Sequence, residues 1–144
     1  MNAFRRIAAL AVLALWVPPA LADGIEPGLW RIVSQIEANG MRSPPQQSRK
    51  CFTPEQARDL VKTFTPVPRM VNSECAPVDA SFEAGRLTWK LTCKGQLDME
   101  VTGDYAFRDG RQYAAVIRNR SALAGMPASE SVTTLMAERV ADCP

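Results

Sequence analysis

The residues of this chain that could do chemistry are few, and their types narrow what the chemistry would be. The 144 residues include no His. That removes the commonest general base, the commonest neutral metal ligand and the usual switch near neutral pH. Four Cys are present, Cys51, Cys75, Cys93 and Cys143, with no His to activate a thiolate. Their gaps of 24, 18 and 50 positions lack the close pairs of a Cys₄ zinc site. Asp98, Glu100 and Asp104 share one face of an alternating segment. Carboxylates two apart on a strand stand ~7 Å from each other, within reach of paired-acid glycoside hydrolysis. The same alternation is the ordinary pattern of a solvated sheet face partnered by Arg and Lys. Arg108, Arg111, Arg118 and Arg120 gather around one turn, suited to an anionic partner or to cross-strand pairing with that acidic strand. Met41, Met70, Met99, Met126 and Met136 offer thioethers for Cu(I), but without His they read as core and loop residues. The chain is expected to be no enzyme and to need no metal or cofactor.

The other candidates are apolar. Trp30, Trp89, Met99, Tyr105 and Tyr113 fall on one side of alternating segments. They either fill a core or, if the sheet curves into a cup, line a site for a lipid or other apolar ligand.

The chain opens on an address. Arg5 and Arg6 precede an apolar run of eleven residues, Ile7 to Val17, then Pro18, Pro19 and the cleavage-like Ala20-Leu21-Ala22. This reads as a cleaved signal peptide over 1–22. As helix the run would span only ~16 Å, about half a bilayer core, and no later stretch is longer, so no membrane span is expected. Arg5 and Arg6 account for the formal charge of +2. Residues 23–144 are therefore neutral and give no argument for nucleic acid. They read as one β-rich domain. An even Cys count in a short exported chain points to two disulfides.

The elements follow from period and punctuation. Alternation predicts strands near 29–38, 46–52, 78–82, 87–93, 97–108, 111–120 and 129–140. In the last, Val132, Met136 and Val140 are four apart, which leaves a helix open there. Asn39-Gly40, Ala84-Gly85 and Asp109-Gly110 mark hairpin turns. Thr53-Pro54-Glu55-Gln56 is a capping box with proline at the first helical position, predicting one short helix over 54–64. Gly103, mid-strand on the dry side, predicts a bend or bulge. The expected fold is mainly β: a single curved antiparallel sheet of six or seven strands, or a small open barrel, with that one helix.

The Ala84-Gly85 turn sets Phe82 opposite Leu87 and Ala76 opposite Cys93, leaving Cys75 one residue out of register. A bulge at Pro77 would bring Cys75 to Cys93 and leave Cys51 for Cys143, the favoured pairing. Cys51–Cys75 with Cys93–Cys143 remains open.

Pro27-Gly28-Leu29-Trp30, Lys50-Cys51-Phe52-Thr53-Pro54-Glu55, Cys75, Gly85-Arg86-Leu87-Thr88-Trp89 leading to Cys93, and Asp142-Cys143 form an ordered set. In this set the chain resembles the bacterial secreted family known as domain of unknown function 3617. The resemblance implies a small exported protein of Gram-negative bacteria, periplasmic in location, and carries over no catalytic or binding residue. The expected function is non-enzymatic binding of an apolar or envelope-derived ligand. The alternatives are a protein-interaction or envelope-scaffold module working through a strand edge, and a carboxylate-dependent glycan hydrolase.

Overall fold

A computed structural model describes residues 23–144; the signal-peptide reading over 1–22 lies outside them. Nine strand segments form one antiparallel sheet: β1 (Gly28–Ala38), β2 (Met41–Arg42), β3 (Gln46–Phe52), β4 (Ser73–Cys75), β5 (Asp79–Glu83), β6 (Arg86–Gly95), β7 (Leu97–Arg108), β8 (Gln112–Leu123) and β9 (Ser129–Ala141). They occupy seven lanes. β2 and β3 share the outer lane beside β1, then come β9, β8, β7 and β6, and β4 and β5 share the last lane beside β6. The two outer lanes do not pair with each other, so the sheet stays open rather than closing into a barrel. The C-terminal segment is strand throughout, paired with β1 on one side and β8 on the other. Two ladders override its four-residue apolar spacing.

The turns do what their residues allow. Asn39 and Gly40, and likewise Ala84 and Gly85, both take positive φ, the mirror-image turn that matches strand twist. The Ala84-Gly85 hairpin sets Phe82 opposite Leu87. Beyond Pro77 the register slips by one residue, so Cys75 faces Cys93. That slip is the expected bulge, and it delivers the favoured pairing: Cys75–Cys93 and Cys51–Cys143 are both bridged. Ala76 N donates to Thr92 O, so Cys75 and Cys93 form a pair without direct ladder bonds, where opposed side chains come closest.

Two expectations need correction. The helix over 54–64 is two helices, α1 (Pro54–Arg58) and α2 (Leu60–Phe64). The capping box at Thr53 and Gln56 is formed on both sides. Asp59 then leaves helical geometry, and its Oδ1 accepts from Lys62 N, capping α2. Asp competes for backbone N–H groups better than it continues a helix. Gly103 marks no bulge either; it stays in register with Trp89 on β6 and Ile117 on β7's other neighbour, β8. A Cβ there would come within 2.2 Å of the Trp89 ring, so the missing side chain makes room for the indole.

The core lies between the concave face and the helices. Leu60 and Ala57 are buried, and the Phe64 ring packs at 5.2–5.4 Å from the rings of Phe52, Tyr105, Phe107 and Tyr113. Residues ahead of β1 tie this end together. Ile25 N donates to Ala57 O, and Glu26 N to Gly110 O.

Candidate functional site

The helix pair cannot cover the whole concave face. Seven lanes at ~4.8 Å separation are ~29 Å across, whereas eleven helical residues would span only ~16 Å even unbroken. Beside Phe64, the strands leave a groove of about 370 Å³. Its floor is Ile32 from β1, Leu135 from β9, Ile117 from β8 and Trp89 from β6, and its rim includes Lys50, Thr63, Thr65 and Pro66. Ile32, Ile117 and Leu135 are half-buried. Farther along the same face of β1, Ile36 is 47% exposed.

The candidate residues divide between core and groove. Trp89, Tyr105 and Tyr113 line the groove. Trp30 lies beneath, 0% exposed, with its indole Nε1 donating to Glu26 O. Met99 sits opposite Cys93 and Ser121, two rows beyond Trp89 and outside the groove. Ile32, Ile117, Leu135 and Lys50 were not singled out by sequence. Their alternation was visible, but they meet only because β9 inserts between β1 and β8, a pairing of the chain's two ends.

Trp89 differs from Trp30 in one decisive respect. It is only 6% exposed, yet its Nε1 has no hydrogen-bond partner. Asn119 Oδ1, on the same face of β8 as Ile117, is likewise buried without a partner. An unpaired buried donor or acceptor costs ~1–3 kcal/mol. Trp89 Nε1 lies against Gly103, where an added Cβ would come within 2.5 Å of it, and Asn119 is not among the residues lining the groove. A larger hollow of about 570 Å³ lies outside the helices, between Asp59, Leu60, Val61 and Phe82.

The phenols bordering the groove are neutral. Burial pushes the Tyr105 phenol up to about 12 and the Tyr113 phenol higher still.

The carboxylate row belongs to the other face of the sheet. Lys94 Nζ donates to Asp98 at 3.0 Å, and Gly95 N adds a second bond. Lys90 meets Glu100 at 2.9 Å, and Arg86 Nε donates to Asp104 at 2.8 Å. These hydrogen bonds hold all three carboxyls below their ordinary range. General-acid work needs the opposite shift. The cations also come from an unexpected quarter. They stand on β6, whereas Arg120 pairs with Glu130 and Arg111 with Glu26. Among the described residues, no cluster of three or more Cys, Asp or Glu is placed to hold a metal ion.

Together these features define a class: a disulfide-braced, open single-sheet β-domain with a partly roofed apolar groove. The chain belongs to the family described as "Protein of unknown function (DUF3617)", whose model matches residues 25–143. No curated protein and no solved structure matches it. Among the described residues, no helix is long and apolar enough to cross a membrane. The two disulfides suit an oxidising, exported location.

Proposed function

We propose that this protein is a non-enzymatic periplasmic binder that holds an apolar chain from the cell envelope in the concave groove. The observation that carries the reading is the unroofed floor of Ile32, Ile117 and Leu135 beside the Trp89 side chain. An alkyl chain laid there would gain roughly 25 cal/mol per Å² of apolar surface buried. The lowered carboxyls of Asp98, Glu100 and Asp104 favour binding over hydrolysis, because none is poised to donate a proton near neutral pH. The outer lane of β3 favours a groove ligand over strand addition. Gln46 to Lys50 are polar or charged and exposed, the usual protection of an edge.

Native mass spectrometry of the full oxidised chain, purified from bacteria and mixed with envelope lipid extract, tests this. A single lipid retained per chain, with a change in Trp fluorescence, is expected. Protein that stays empty across lipid classes, with fluorescence unchanged, would overturn it.

A further inference from the structure

We infer that the groove selects a single-chain carboxylate, with its head at Lys50 and its alkyl chain running toward Trp89. The inference rests on the groove reading above and names the ligand class for that site. Among the described residues, Lys50 is the one charged residue lining the groove. β3 places it on the concave side, opposite Trp30 and one alternation from Phe52. Its ammonium lies over the Phe52 ring, 4.8 Å from the centroid. Among the described residues no carboxylate stands within ion-pair distance of it, whereas Lys90 and Lys94 of β6 each have one. The ring holds the cation at the rim without neutralising it. Along the same side of β3 follow Ser48 and Gln46, which can hydrogen-bond a polar head and repel none.

The rest of the wall is apolar or neutral, so an anion entering the groove meets no like charge. The size selects the number of chains. About 370 Å³ is near the small end of ligand sites, which run ~300–1,000 Å³, and this suits one chain rather than the two of a phospholipid. The head follows from the charge: one Lys balances one carboxylate, whereas a phosphate monoester carries ~1.5–2 negative charges.

The test compares dodecanoate with dodecan-1-ol, titrated below their aggregation concentrations into the full oxidised chain at pH 8, read by Trp fluorescence and calorimetry. Dodecanoate should bind on the order of tenfold tighter than the alcohol, the margin of one charge-assisted hydrogen bond. Lys50→Gln should erase that margin; Lys50→Arg should keep it. Lys50 is exposed, so neither variant threatens the fold. Equal affinities in the wild-type chain, or a margin that survives Lys50→Gln, would overturn the inference while leaving a groove that binds alkyl chains. Tighter binding of dodecyl phosphate than of dodecanoate would overturn the choice of head. No binding of any of the three would overturn the groove reading and the inference with it.

Discussion

The two ends of the concave face are built from the same strands and meet different covers. At one end Leu60 is buried, Phe64 packs onto Phe52, Tyr105, Phe107 and Tyr113, and Trp30 beneath them is sealed with its indole satisfied. At the other end Ile32, Ile36, Ile117 and Leu135 keep part of their surface in water, and the Trp89 indole has no partner. β1, β6 and β7 carry mostly apolar residues on that face at both ends. What differs is reach. The helical segment has a fixed rise per residue, and Asp59 interrupts it. Alternation decides which face is dry, and the length of the covering element decides how much of that face becomes core. Where cover runs out, the same residue types become a site.

The largest test of this contrast removes the bridges that brace its ends. Cys51–Cys143 spans 92 positions and anchors β3, beside the capping box, to the C-terminus. Loop-closure entropy puts its loss at ~4.6 kcal/mol. Cys75–Cys93 spans 18 positions, beyond the groove, and its loss is worth ~3 kcal/mol on the same basis. Denaturant titration of the two Cys→Ser double variants should rank them in that order, and the reverse order would place the main brace at the open end.

Single side chains sharpen the contrast further. Trp30→Ala should cost ~3–5 kcal/mol, as for a sealed aromatic. Leu135→Ala on the groove floor should cost only about 1 kcal/mol, since much of its surface is already wet and less cavity is left. Similar losses in urea melts would mean that the two ends are equally packed. Gly103→Ala probes the boundary. Its Cβ would strike the Trp89 ring, so a loss of ~1–3 kcal/mol with a shifted Trp emission is expected. Unchanged stability and emission would show an indole free to move.

The smallest expected effect is on pH. Tyr105 and Tyr113 have folded-state values raised above the unfolded value near 10. The unfolded chain therefore ionises first. Stability should be flat below pH ~10 and fall as pH rises toward about 12, because the unfolded state then binds fewer protons. Alkaline melts monitored by phenolate absorbance should show ionisation coinciding with unfolding. Titration of both phenols at pH ~10 without unfolding would show them to be open to water.

Much of this arrangement was legible in the sequence, and for identifiable reasons. The hairpin turns, the capping box and the alternation of β6 and β7 depend on neighbours close in the chain. Even the Cys75–Cys93 bridge followed from counting back from Ala84-Gly85 and allowing one extra residue at Pro77. Other features depend on what comes together later. Both Trp30 and Trp89 read as apolar-face aromatics, and only the landing of Phe64 separates core from groove wall. Lys50 reads as a solvated charge until β3 sets it beside Phe52. The cations on β6, rather than those flanking Asp109-Gly110, hold Asp98, Glu100 and Asp104. Arg118 and Arg120 lie on β8, as adjacent to β7 as β6 is, but Arg120, opposite Glu100, pairs instead with Glu130. Asp59 is a fair signal that could have been used: a capping residue inside an eleven-residue helical stretch, three positions before Lys62.

The central claim is that one end of the concave face is finished core and the other is a site. Methyl-resolved NMR of the full oxidised chain, titrated with dodecanoate, reads both ends at once. The methyls of Ile32, Ile117 and Leu135 should shift in a saturable way, while those of Leu60 and Leu87 in the sealed end stay in place. Shifts spread evenly over both ends, or confined to Val33 and Met136 on the opposite face, would contradict it.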